Sequence, residues 1–287
     1  MNLHHPFWAR REIERLDPVR DCRRIAHLLL EVRFGDPRFV HPMFSVAFSR
    51  QVAIPAIARV LYRGGSGLIM KETARRNDDT LVFFGLLLRH GNSPEGMKVV
   101  ERMNRMHARY PIPNELNLYT LSTLACLPQR LGRQFTGRDI FTGHESLALY
   151  HFWRQVGEMM EIQDIPASPG AMLQWMLDFE ATEYGYTPDG QAVTRALARE
   201  YAERWFPSAM RAVGERAFLA LFDDRLLTTH RLPAPSALDG RIVQAAVRGF
   251  VLGCTVLPDP AERDLLLSFG SHYDPSLGVD RVGPQGI

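Results

Sequence analysis

The sequence predicts an all-α protein that folds as a single large helical domain over residues 1–287. Apolar residues recur at spacings of three and four along most of the chain, which is the period of an α-helix, and alternating runs of strand length are missing. The composition is typical of a globular chain, with 46% hydrophobic and 23% charged residues. No flexible segment is long enough to separate two domains, so one domain is expected.

Prolines and glycines mark the ends of the predicted helices in the first part of the chain. Proline cannot continue a helix, and glycine favours the turn that ends one. Asp36-Pro37, Gly64-Gly65 and Gly91 separate the first four helices, and Pro111 to Pro113 precede the fifth. These five helices are predicted over 10–33, 42–63, 70–90, 94–110 and 115–133.

The same markers divide the second part of the chain. Pro166 to Pro169, Pro188 and Pro207 separate the sixth to ninth helices, and the segment 232–236 precedes the last two. The predicted ranges are 142–161, 168–184, 189–206, 208–223, 239–257 and 260–269. We expect the last two helices to form a C-terminal helical hairpin within residues 236–270.

Charge and composition exclude several classes of function. The chain has 34 basic and 32 acidic residues, a net charge of +2, which provides no basic field for a nucleic-acid partner. Three distant cysteines cannot form a disulfide framework or a thiolate zinc site. The longest apolar runs, 81–88 and 243–257, are too short for a membrane span, which needs about 20 residues. With no secretory signal recognised at the N-terminus, a cytoplasmic protein is predicted.

One candidate ligand lies in the predicted helix 94–110. Ser93 suits the N-cap position and Pro94 the first helical position. The helical period then places His107 on one side with Val99, Val100, Met103, Met106 and Tyr110. A neutral imidazole on such an apolar face can hold haem iron from one side and leave the other side open to oxygen.

Two other interpretations of His107 compete with haem binding. A lone histidine on an apolar helix face is more often a core residue that makes one hydrogen bond. Zinc would require a second histidine or carboxylate three or four residues away, and Met103, Asn104, Tyr110 and Pro111 occupy those positions.

The preceding helix adds a cation and a hydroxyl to an apolar face. Arg76, Thr80 and Phe84 follow each other at intervals of four, in line with other apolar residues. Haem would suit this mixture, because its ring needs apolar walls and an arginine can pair with its propionates. The alternative is an ordinary amphipathic helix in which Asp78 and Asp79 stabilise the positive N-terminal end.

Four segments together resemble the family of mpaB-type oxygenases and rubber oxygenases. They are FSRQVAIPAIARVLYRGGSG (48–67), RRNDDTLVFF (75–84), ERMNRMHARYPIPNELNLYTLSTLACLPQR (101–130) and EMMEIQDIPASPGAMLQWMLDFE (158–180). The chain looks closer to the mpaB-like branch in its Asp79-Thr80 pair, its Asn104-x-x-His107 motif and its Ile-x-x-Ile-Pro at 162–166. The resemblance covers residues 15–205 and identifies this region as similar to the family's catalytic domain.

The resemblance implies an all-α fold with a globin-like core around haem b. It also implies that His107, which matches the family's motif histidine, is the proximal ligand of the haem iron, with Arg76 and Thr80 beside the pocket. The expected cofactor-binding residues are His107, Arg76, Thr80, Asn104, Met103 and Phe84. Relatives cleave a carbon–carbon double bond of an isoprenoid with dioxygen. We therefore expect a haem-dependent oxygenase whose partners are dioxygen and an apolar, unsaturated small molecule.

The chain departs from the latex-clearing branch at two positions. Those proteins have a lysine directly before the threonine, where this chain has Asp79. They also have a catalytic glutamate before the arginine, whereas residues 58–65 contain no carboxylate. The candidate bases by position are Asp79, Asp78 and Glu72, and we prefer Asp79, with Arg76 as the second candidate catalytic residue.

Three functions therefore compete at the level of the sequence. The first is a haem-dependent oxygenase. The second is a protein that binds haem or another apolar ligand without turnover, which the absent lysine and glutamate favour. The third is a haem-free helical scaffold, which predicts a buried, hydrogen-bonded His107 with no cavity beside it large enough for a porphyrin.

Overall fold

Every regular element of the described chain is helical. The structure, a computed structural model, describes residues 5–261, 263–273, 279 and 282–283. The prediction of an all-α protein with one helical domain is confirmed. The helices are α1 (Trp8–Arg15), α2 (Cys22–His27), α3 (Pro37–Gln51), α4 (Pro55–Tyr62), α5 (Leu68–Lys71), α6 (Thr73–His90), α7 (Pro94–His107), α8 (Asn114–Thr136), α9 (Gly143–Met159), α10 (Pro169–Glu183), α11 (Pro188–Trp205), α12 (Arg211–Leu219), α13 (Asp224–Thr229), α14 (Ala237–Val256) and α15 (Leu265–Phe269).

Several helices begin with the same pair of devices. A side-chain oxygen accepts a hydrogen bond from a backbone N–H of the first turn, and in α3, α7, α10 and α11 a proline also occupies one of the first two positions. The cap satisfies an otherwise free donor, and proline loses nothing where its missing N–H is not needed. The capping residues are Asp36, Ser93, Thr142, Ser168, Thr187, Asp223, Ser236 and Asp264.

The first two predicted helices are each divided in the structure. The range 10–33 contains α1 and α2, which a turn at Asp17 separates, and a π-helical segment, Leu28–Arg33, continues α2. The range 42–63 contains most of α3 and all of α4, with a break before Pro55. Both breaks have the same cause, since the residue before a proline is disfavoured in the α-helical conformation.

The C-terminal helices also differ from their predicted ranges. The segment 208–223 contains a short 3-10 turn, Ser208–Met210, and the shorter helix α12, while α13 was not predicted. In the region of the expected hairpin, α14 packs on α8 and α12, and the short α15 packs on α6.

Helix α8 runs between two clusters of buried apolar side chains. Leu118 and Leu121 belong to the first cluster, which also receives side chains from α2, α6, α7 and α9. Leu127 and Tyr119 belong to the second, which receives side chains from α3, α4, α11 and α12. A helix that is apolar on both sides is expected to be central. Side chains of α8 therefore contribute to both parts of the core.

A buried network of ionised and hydroxyl groups links α3, α8, α10 and α13. Glu180 is 1% exposed and accepts hydrogen bonds from Arg50 at 3.0 Å, Arg130 at 2.9 Å and the Tyr119 hydroxyl at 3.1 Å. Asp223, the N-cap of α13, also pairs with Arg50. Because these charges are taken out of water, the stability of each one depends on how well its partners are placed.

We predict that Glu180→Gln lowers the free energy of unfolding by about 3–5 kcal/mol, because it removes the charge that compensates buried Arg50. Urea denaturation followed by circular dichroism measures the change. Glu158→Gln is the matched control, since Glu158 pairs with Arg154 on the exposed surface of α9 and should contribute less than about 1 kcal/mol. Equal effects of the two substitutions would contradict the structural role of the network.

Candidate functional site

An apolar cavity with two lobes lies beside α6 and α7. The Trp153 lobe, of about 170 Å³, extends between α3, α4, α8 and α9 and is lined at its far side by Trp153. The Tyr110 lobe, of about 200 Å³, extends toward α5 and is lined by Tyr110. Both lobes share the lining residues Val60, Leu61, Arg76, Thr80, Phe84, Met103, His107 and Ile112. We call the two lobes together the His107 cavity.

His107 is the last residue of α7, and its position follows from how that helix begins. The Ser93 hydroxyl accepts the N–H of Gly96 at 3.3 Å, and Pro94 occupies the first turn. Val99 and Val100 then anchor the helix in the core. One turn before its end, Met103 faces the same cavity as His107.

The imidazole of His107 has no hydrogen-bonding partner among the residues that the structure describes. Desolvation by the surrounding protein lowers its pKa from 6.5 to about 4, and the positive charge of Arg76 acts in the same direction. The side chain is therefore neutral at pH 7, with a ring nitrogen free to bind something in the cavity. A neutral imidazole is the form of histidine that binds metals.

Arg76 lies on α6 and enters the same cavity. Its guanidinium donates to the Thr80 hydroxyl one turn later and lies 5.7 Å from the centre of the Phe48 ring. Burial lowers the pKa of Arg76, whereas the charge of Asp79 opposes this shift. Within the described ranges Arg76 forms no ion pair. A buried guanidinium with only a neutral acceptor can bind an anionic group of a ligand.

Aromatic rings form the wall beyond Thr80. Phe84 lies one turn after Thr80 and meets Trp153 edge-on, with ring centroids 5.6 Å apart. Phe44 of α3 meets the other side of Phe84 at 6.0 Å. Edge-on contacts of this kind favour a fixed ring orientation. The wall combines a flat apolar surface with few polar atoms, which suits an apolar ligand.

Asp79 also lines the cavity, in its Tyr110 lobe. The sequence left open a dipole-stabilising role for Asp78 and Asp79, and this interpretation is wrong because α6 begins at Thr73, more than one turn earlier. One carboxylate oxygen of Asp79 accepts a hydrogen bond from the imidazole of His272 at 2.7 Å. Asp78 pairs instead with Arg204 of α11.

The structure brings most of the predicted site residues together and places one elsewhere. His107, Arg76, Thr80, Met103 and Phe84 border both lobes, and Asp79 borders one of them. The side chain of Asn104 is directed to α9, where its amide donates to the carbonyl of Met159 at 3.5 Å. Sequence reasoning missed the aromatic lining residues Phe44, Phe48 and Trp153 and the partner of Asp79, His272.

The described side chains do not form a cluster of metal ligands. In the part of the chain that is described, no three His, Cys, Asp or Glu side chains converge on one point. No single described helix has the length and apolar composition to cross a bilayer, although the bent pair Pro37–Gln51 and Pro55–Gly65 meets that test by length and composition alone.

Comparison with known families gives one match, which covers more than half of the chain. Residues 32–252 match the model of the ER-bound oxygenase mpaB/B'/rubber oxygenase catalytic domain. The chain belongs to this family. No curated protein sequence matches it. The matched range includes every lining residue of the His107 cavity named above, whereas His272, the partner of Asp79, lies beyond its end.

Membership identifies the class of reaction but not the cofactor or the substrate. An oxygenase acts on dioxygen and a small molecule, and the cavity beside His107 has the apolar walls that a small-molecule site requires. The haem-free scaffold predicted a hydrogen-bonded His107 with no cavity beside it large enough for a porphyrin. Over the ranges that the structure describes, His107 makes no hydrogen bond, and it borders both lobes of the cavity.

We predict that His107 makes the ligand-free protein less stable at acidic pH. Between pH 6.5 and about pH 4 the unfolded chain binds a proton on His107 that the folded protein does not bind, so stability falls as the pH decreases through this window. Relative to His107→Gln, the loss should reach about 3 kcal/mol at the acidic end. Urea unfolding of both proteins at a series of pH values measures it. Parallel stability curves would contradict the buried, neutral state of His107.

Proposed function

We propose that the protein is a haem b-dependent oxygenase that cleaves a carbon–carbon double bond of an apolar, isoprenoid-like small molecule with dioxygen. The observation that carries this proposal is the neutral imidazole of His107, which has no hydrogen-bonding partner among the described residues and lies in an apolar cavity. The family match supports oxygenase chemistry. The three unpaired cysteines are compatible with the reducing cytoplasm as the proposed location.

The residues of the cavity fit haem in three respects. His107 provides an uncharged nitrogen ligand without a competing hydrogen bond. Arg76 provides a half-buried cation that, within the described residues, donates a hydrogen bond to the Thr80 hydroxyl and to no carboxylate, which suits a propionate. Phe84, Phe44 and Trp153 provide an apolar wall. Each of these groups would be only partly satisfied without a ligand, and haem has the complementary group for each.

The protein residues have distinct roles in the proposed reaction. Haem, when bound, supplies the iron at which dioxygen is activated. His107 would hold the iron, and Arg76 would hold an anionic edge of the cofactor while Thr80 fixes the guanidinium. The aromatic wall would exclude water and orient the alkene. Exclusion of water strengthens every electrostatic interaction in the cavity.

The principal test is the absorption spectrum of protein expressed with adequate haem supply. We predict an intense Soret band that shifts when the reduced protein binds carbon monoxide, and its loss or strong shift in His107→Ala, because that substitution removes the iron ligand. His144→Ala is the matched control, since His144 bonds to the carbonyl of Ile13 away from the cavity and should leave the spectrum unchanged. A colourless wild-type protein would contradict haem binding.

Oxygen consumption separates turnover from ligand binding. Geraniol, farnesol and squalene are suitable alkene probes, and product carbonyls can be trapped with a hydrazine. Uptake by wild type that His107→Ala abolishes would support the oxygenase. A normal haem spectrum without oxygen uptake on any probe would favour the second function, an apolar-ligand or haem-binding protein without turnover, for which the absence of the family's lysine and glutamate is the supporting observation.

A further inference from the structure

Asp79 is a buried carboxylate with one satisfied and one free oxygen. It is 1% exposed and lies on α6 between Arg76 and Thr80, two of the residues that border both lobes of the cavity. Its Oδ1 accepts the hydrogen bond from His272 at 2.7 Å. Its Oδ2 is buried and has no hydrogen-bonding partner among the described residues. An unsatisfied buried carboxylate oxygen is costly, and such an atom on a residue that lines a cavity calls for a functional explanation.

His272 reaches Asp79 from outside the family domain. It follows α15, which packs on α6. Two further contacts anchor α15: the N–H of Leu265 donates to Glu31 at 3.0 Å, and Asp264 pairs with Arg89 near the end of α6. The His272 side chain is 29% exposed, so the imidazole lies between solvent and the buried carboxylate. The contact therefore depends on the packing of the C-terminal helix.

We propose that Asp79 Oδ2 is the proton-accepting atom of the His107 cavity and that His272 is the positioning residue that directs it there. The inference rests on the proposed function, which it deepens by assigning the base that the family's glutamate does not provide here. His272 occupies Oδ1, so Oδ2 is the oxygen of this cavity-lining carboxylate that has no hydrogen bond within the described residues. Asp79 lies within the matched domain, whereas His272 lies beyond its C-terminal end.

The groups around the carboxylate are compatible with this role. Arg76 lies on the preceding turn of α6, and the charge of Asp79 opposes the lowering of the Arg76 pKa by burial. His107 and Tyr110 face the same lobe from α7 and the segment after it. The neighbouring acid Asp78 is engaged with Arg204 and does not share the cavity. Asp79 is therefore the carboxylate that faces this lobe within the described part of the chain.

The proposed step is a proton transfer. A bond between hydrogen and another atom of the bound molecule breaks, its electron pair stays with that molecule, and the proton forms a bond to Asp79 Oδ2. The carboxyl group later returns this proton to water or to an oxygen of the product. His272 keeps its own proton on Nε2 throughout, since it donates to Oδ1. General-base catalysis of this kind contributes about 100-fold or more to a rate.

Hydrogen cyanide and carbon monoxide provide a pair of probes that requires no knowledge of the substrate. Both bind to haem iron, but hydrogen cyanide must lose a proton as it binds to the oxidised protein, whereas carbon monoxide binds to the reduced protein unchanged. A base in the cavity accelerates only the first reaction. Stopped-flow absorbance of the holoprotein measures both association rates.

We predict that Asp79→Asn slows cyanide association about 100-fold and leaves carbon monoxide association unchanged. His272→Ala should slow cyanide association about tenfold, because the carboxylate loses its fixed orientation. His272→Gln, which keeps an amide donor for Oδ1, should recover most of the wild-type rate. Asp78→Asn is the matched control, since it removes the adjacent carboxylate outside the cavity and should not change the rate.

The outcomes distinguish this proposal from the function on which it rests. A colourless protein overturns both. A Soret band with normal carbon monoxide binding, but equal cyanide rates in wild type, Asp79→Asn and His272→Ala, overturns the assignment of Asp79 and leaves haem binding intact. Equal slowing of both probes in Asp79→Asn would indicate a disturbed cavity and also overturns the assignment. Selective slowing of cyanide, with recovery in His272→Gln, supports it.

Discussion

The partial burial of the His107 imidazole and the Arg76 guanidinium near each other, without an ion-pair partner for Arg76 in the described residues, is the constraint on which the His107 cavity depends. Both groups lose hydration in this position, which costs free energy. Desolvation and the charge of Arg76 together keep His107 neutral, which is the state that a metal ligand needs. The packing of α6 against α7 must hold both side chains in place, because their mutual interaction is repulsive whenever His107 is protonated.

Helix α8 connects this cavity to the buried ionic network around Glu180. Tyr119 donates to Glu180 in the buried ionic network, and the next residue, Thr120, lines the Trp153 lobe. Successive residues of a helix point about a third of a turn apart, so one short segment serves both environments. Rigid anchoring of α8 by Glu180, Arg50 and Arg130 therefore supports one wall of the cavity. Positioning of this kind is what a site for oxygen chemistry requires.

The parts of the fold that were predicted are those with a local cause. The cap at Ser93, the proline at 94 and the helical period place His107 on the apolar side of α7, and the interval of four places Arg76, Thr80 and Phe84 on one face of α6. Asn104 belongs to the same motif as His107, but its side chain contacts Met159. The spacing of two residues on a helix does not by itself determine the direction of their side chains. His272 lies 193 positions from Asp79, and no sequence pattern links them.

Asp79 stands where the chain departs from the latex-clearing branch, and it gives the cavity a different charge from the one that a lysine would give. A lysine at this position would join Arg76 and leave two positive charges beside His107. An aspartate instead gives one charge of each sign, and the pair is closer to neutral as a whole. Since uncompensated charge is costly in an apolar cavity, this arrangement suits an apolar molecule better than an anionic one. It also replaces a proton donor with a carboxylate, whose free oxygen can only accept a proton or a hydrogen bond while the group is ionised.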